Sequence, residues 1–235
     1  MELPELRLPR GAERRDAQTL HGTVDQIPGE YRHLPIISTY RESVERFVSK
    51  FRYTDWKKED ALPASKEELL ARFPSFPDLG IVDCAELFLI FGRRRIVIGS
   101  DEVQIGPLSV DLLNFFSRTV IDADEGAKFP SWKSMLESLA PVRLLRQEFL
   151  KLELVEALVD LGYNQRDLAF IGEMERVNAS TGNYPSTQEI EAVAGLFGRD
   201  PLYPLLLKRL LGDTVDAVPQ DLTEKVREES ELSQL

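Results

Sequence analysis

Between Tyr40 and Phe51 the apolar positions Tyr40, Val44, Phe47, Val48 and Phe51 recur at i, i+4, i+7, i+8 and i+11, the spacing of one face of an α-helix. Thr39 followed by Glu42 predicts a capping box at its start. A second box, Ser65 with Glu68, opens a shorter helix through KEELLARF, and the prolines of FPSFPDLG end it. The segment LFLIF, then IVI, is ambiguous. Asp83 and Glu86 could start a helix that Gly92 closes, but the Phe and Ile content, and VQI after the turn signal GSDE, favour buried strands.

Helical signals dominate from there on. Pro107 breaks the extended run, and Ser109 with Asp111 predicts a capped helix burying Leu112, Leu113, Phe116 and Val120. SWKSMLESL reads as a short helix. Pro141 then sits at the first turn of a long helix ending at Gly162, apolar on more than one face and therefore expected at the centre of the fold. Asn164 caps a further helix through MERV, Ser186 with Glu189 starts TQEIEAVAGLF, and Asp200 and Pro201 begin PLYPLLLKRLL, closed by Gly212. The expected fold is α+β and predominantly helical, with a small antiparallel sheet near the middle and a C-terminal helical layer. Residues 1–35, holding four prolines, read as a flexible arm; 36–130 as the α+β segment, 131–220 as the helical segment packed on it, and 221–235 as a tail.

Composition narrows the function classes. With 29 basic and 40 acidic residues the net charge is −11, and all of that excess falls within residues 101–235. Such a field repels phosphate backbones and favours basic or apolar protein partners or self-association; nucleic acid is disfavoured. The single cysteine, Cys84, cannot form an internal disulfide, which fits a reducing cytoplasm or a particle assembled there. The start MELPELRLPR lacks the pattern of an export signal. No run approaches the ~20 apolar residues needed to span a bilayer, so no membrane association is expected.

Few residues offer chemistry. Arg93, Arg94 and Arg95 follow Gly92 between two apolar runs; they read as the crown of a hairpin turn or guard of a sheet edge, with partner contact as a second role. Phe47 and Phe51, on the apolar stripe of the first helix, are the other candidate contacts. DADEG at 122–126 spaces carboxylates like the start of a calcium loop, but its glycine is one place early and Lys133 stands where a bidentate Glu belongs. His21 and His33 are too few for a closed zinc site, so no metal or cofactor is expected. GxSxG, GxxxxGK and GxGxxG are absent from the sequence. Cys84 lies in an apolar context that raises a thiol pKa.

The order of strand, turn, VQI and GPLSVDLL resembles the strand-to-helix passage of phage tail-assembly chaperones, where a polar β-turn leads into a P-L-[ST] helix start. The likeness spans about 25 residues and implies an assembly helper. The leading expectation is accordingly a non-enzymatic, acidic interaction or assembly protein, an adaptor or chaperone of possible phage type. One alternative is a nucleic-acid-binding regulator using residues 93–95 and 186–211, although LYPLLL offers no polar recognition face. A second is a divalent-metal nuclease built on Asp83, Glu102 and Gln104, with glutamine where lysine is wanted.

Overall fold

The computed structural model describes residues 23–54, 57, 64–119, 126–174 and 184–212. Most of the expected arm, His21, most of DADEG, the end of MERV and the tail lie outside the described residues. Within them the chain is α+β and mainly helical, with a two-stranded and a three-stranded sheet.

Two 3-10 turns, Val24–Gln26 and Gly29–Tyr31, lead into strand β1, Ile36–Tyr40. Helix α1 follows at Ser43–Tyr53, later than its apolar stripe suggests. Thr39 and Tyr40 belong to the strand, and Glu42 is itself the cap, accepting the Val44 and Glu45 amides at 2.8 and 3.2 Å. Tyr40 matched the helical period, yet its backbone hydrogen-bonds in a parallel pair with Arg146 of strand β5, Val142–Arg146. That strand is the second difference. The run after Pro141 is extended, because VRLLR finds its partner in IISTY, roughly a hundred residues upstream, and no local signal reports such a pairing.

Helix α2, Lys66–Arg72, carries the expected Ser65–Glu68 box. Helix α3, Ile81–Phe91, then takes the segment expected as strands. It buries Ile81, Cys84, Ala85, Leu87 and Leu89, positions on several sides of the helix, so no amphipathic period marks it. Helix α1 and helix α8, Thr187–Phe197, enclose it. Phe47 stands edge-on to Phe88 and Phe197, with centroids 5.8 and 5.1 Å away, and so forms the centre of the first core cluster.

The second cluster lies on the other sheet. Strands β2, Arg94–Ile98, and β3, Asp101–Ile105, form an antiparallel hairpin, to which β4, Ala127–Phe129, adds in parallel. Gly99, at φ 64°, makes the two-residue turn that the GSDE signal marked. Period-two alternation sends Ile96, Ile98, Val103 and Ile105 inward, against helices α4, Pro107–Phe116, α5, Trp132–Ser138, and α9, Tyr203–Leu210. Tyr203 touches both clusters. Between α5 and α8, strand β5 runs through a 3-10 turn, Gln147–Phe149, into α6, Leu150–Asp160; a second turn, Gln165–Leu168, leads to α7, Ala169–Glu173. Far from central, α6 buries only Ala157.

Candidate interaction surface

The arginines do not crown the hairpin turn, which is made by Gly99 and Ser100. They sit where α3 passes into β2. Arg94 turns its guanidinium back on the helix end, donating to the carbonyls of Phe91 at 3.3 Å and Arg93 at 2.8 Å. There it satisfies acceptors that a helix C-terminus leaves open and complements the dipole. Arg95 lies on the outer sheet face and pairs diagonally with Glu102 at 2.7 Å. Arg93 is half-buried in the link. Arg94 and Arg95 are thus engaged within the chain, and the answer to the clustering is local structure.

Phe47, 5% exposed, and the half-buried Phe51 pack into the first core cluster, so the apolar stripe of α1 is covered by α3 and α8. Asp83 is an exposed residue in the first turn of α3, and Glu102 is held by Arg95. Among the described residues no three His, Cys, Asp or Glu side chains come together as a metal site requires. His33 is exposed. Cys84 is fully buried, and burial pushes its thiol up to about 12, leaving a protonated, inert sulfur at neutral pH.

Two polar arrangements escaped the sequence. The first is Asp200, 1% exposed, which stands just before α9 as expected and also caps α4. Its carboxylate accepts the Ser109 amide at 2.8 Å and the Ser109 hydroxyl at 2.6 Å, across 91 positions. Gly106 is the N-cap residue of α4 and has no side chain to do this work. A Cβ there would lie 2.5 Å from the Asp200 carboxyl, so the glycine makes room for a cap delivered from elsewhere. Burial raises the Asp200 pKa, while hydrogen bonds from Ser109, Gly106 and Tyr203 oppose the rise. The second is a tyrosine pair joining β1 to α9, the hydroxyls of Tyr40 and Tyr203 hydrogen-bonded to each other. Burial raises both, so both stay protonated at neutral pH. Beside them Arg46 binds Asp111 at 2.6 Å. These groups are mutually satisfied and join elements of the two clusters.

The lobe formed by α6 and α7 is different in kind. Its polar side is fastened to β5: Arg146 binds Glu153 at 2.6 Å through Nε, and Arg143 pairs with Asp160. Burial pulls the Glu153 carboxyl up, but hydrogen bonds from the Arg146 backbone and side chain outweigh it and hold the pKa low. Lys151 donates to the Gly172 carbonyl at 2.9 Å and so holds α7 beside α6. Its outward side mixes charged residues with large apolar ones. Phe149 is 50% exposed, Leu152 60%, Phe170 58% and Met174 53%, with Val159 and Leu161 also exposed. These six are half of the twelve large exposed apolar side chains among the described residues, gathered into 26 consecutive positions. Scattered single apolar residues are normal on a surface, but a concentration like this marks a place where contact removes water.

Sequence reasoning missed the lobe because an apolar helix is ordinarily a core helix. The available signal was Leu152 and Val159, seven positions apart on one side, with Phe149 one turn earlier. Read as part of a helix apolar on more than one face and so expected at the centre, they gave no hint of facing solvent.

No family model, curated protein or solved structure matches the chain. The functional reading therefore rests on the surface itself. Among the described residues no helix is long and apolar enough to cross a membrane.

Proposed function

We propose that the protein is a non-enzymatic interaction or assembly protein, working in a reducing compartment such as the cytoplasm, with another polypeptide as its partner. The observation that carries this reading is the apolar surface of the α6–α7 lobe, where Phe149, Leu152, Phe170 and Met174 each keep half or more of their area in water. Roughly 25 cal/mol is available for every Å² of such area that a partner covers. The excess negative charge of residues 101–235 adds steering toward a basic partner. The arginine cluster, engaged at the α3–β2 junction, lends less to the nucleic-acid reading, and the Arg95–Glu102 pair lends less to the nuclease reading.

Site-specific photo-crosslinking in the source cells tests the proposal. A benzophenone side chain placed at Phe170 is expected to trap a second polypeptide on irradiation. The same group at Leu70, exposed on α2, is expected to trap none. No adduct at Phe170, or equal adducts at both positions, overturns it.

A further inference from the structure

The charges around the apolar lobe identify the kind of partner it fits. Residues 147–174 carry six carboxylates against two cations, Lys151 and Arg166. Glu153 and Asp160 are neutralised by arginines of β5. Glu148, Glu156, Asp167 and Glu173 are exposed and have no cation against them among the described residues. Among the described residues the lobe therefore carries exposed apolar side chains together with four carboxylates that no cation pairs.

That arrangement discriminates between occupants. A second copy of this chain docking lobe to lobe would bring the same carboxylates face to face, and like charges at an interface cost affinity. An anionic membrane surface is repelled on the same ground. A helix with Leu or Phe along one stripe and Lys or Arg beside it satisfies both parts of the lobe: the stripe covers the apolar residues while its cations reach the four carboxylates. On α6 the exposed Leu152 and Val159 lie seven positions apart, about 10 Å along the axis, which matches two turns of such a partner helix. We infer that the α6–α7 lobe receives an amphipathic helix of another protein, apolar on one side and flanked by lysine or arginine. This rests on the interaction reading above and specifies its partner.

The test uses the full chain and two synthetic peptides of about 18 residues, long enough for a helix on binding. One is made of Leu and Lys at helical spacing, the other of Leu and Glu in the same order. Fluorescence anisotropy at about 150 mM salt, where long-range attraction is screened, follows binding of each. The Lys peptide is expected to bind, and the Glu peptide to bind at least about tenfold more weakly. Leu152→Ser with Phe170→Ser keeps the net charge, so any loss of affinity reports the apolar contact; a loss of about tenfold is expected, with Leu70→Ser unchanged. Glu156→Gln with Glu173→Gln should lower affinity less and flatten its salt dependence. Crosslinking the bound Lys peptide to the unmodified chain and mapping the adduct to residues 149–174 supports the assignment without any variant. An adduct mapping elsewhere, equal binding of the two peptides, or full affinity in the Leu152→Ser, Phe170→Ser variant overturns it. Should the in-cell adduct at Phe170 form while the Lys peptide fails to bind, the partner chemistry is wrong and the interaction reading stands.

Discussion

Helices α3 and α6 are both eleven residues long and rich in apolar side chains, yet α3 buries five of its residues and α6 one. The difference lies in what surrounds them. Helix α3 is enclosed by α1 and α8, with Phe47 and Phe197 completing the aromatic contact that includes Phe88. Helix α6 is fastened on one side by Arg143 and Arg146 of β5 and by Lys151 to α7, and its remaining side meets solvent. An apolar helix is thus a core element only when neighbours close around it. Where they do not, the same side chains are free to be covered by another molecule.

The largest effect that would sharpen this contrast is a pair of leucine truncations. Leu87→Ala in α3, at a fully buried position, should cost about 2–5 kcal/mol in denaturant-measured stability, whereas Leu152→Ala in α6 should stay within about 0.5 kcal/mol. A cost above about 1 kcal/mol for Leu152→Ala would mean that this side of α6 is packed in solution, and the contrast would fail. Next in size is the distant cap. Asp200→Ala leaves the Ser109 amide and hydroxyl without their acceptor and should cost about 2–3 kcal/mol, with Asp200→Asn milder because its amide oxygen still accepts.

Gly106→Ala pushes a methyl into the same carboxyl and should cost about 1–3 kcal/mol. Combined with Asp200→Ala the cost should be less than additive, since the second change removes the two carboxyl contacts at 2.5 Å and leaves only the 2.9 Å contact with the Cβ; strict additivity would show that the two positions do not meet.

The pH dependence of Asp200 has a definite sign. Its folded pKa is raised, so the folded state holds the proton to higher pH than the unfolded chain. Wild type should therefore gain stability relative to Asp200→Asn as pH falls through the folded value, with the gain complete below the unfolded value. Glu68 and Glu189, lowered by hydrogen bonds with Ser65 and Ser186, act oppositely; their contribution is present above the unfolded value and lost as pH falls through the folded one. Parallel stability–pH curves for wild type and Asp200→Asn would refute the Asp200 assignment. Smallest of all should be Arg95→Ala, where an exposed pair with Glu102 is worth about 0–1 kcal/mol in a thermal melt.

Signals complete within a few residues read correctly: the Ser65–Glu68 and Ser186–Glu189 boxes, the turn at Gly99, and the stops at Gly162 and Gly212, whose φ values of 93° and 92° suit glycine. Ser109 and Asp111 misled as a cap, because the true cap for α4 arrives from Asp200. Tyr40 misled as a helical residue, because its pairing partner lies on β5. Of the candidate contacts, Phe47 and Phe51 pack into the first core cluster, Arg94 closes the end of α3, and Arg95 pairs across the hairpin with Glu102.

The amino-acid order alone determined the helix stops, the hairpin turn, the mainly helical α+β class and the acidic excess, since each depends on backbone preferences or charges carried by adjacent residues. Only the tertiary structure decided which apolar helix is buried, which carboxylate caps α4 and which apolar side chains stay exposed. Burial and long-range hydrogen bonding depend on neighbours brought from distant positions, and a one-dimensional period records that a face is apolar without recording what covers it.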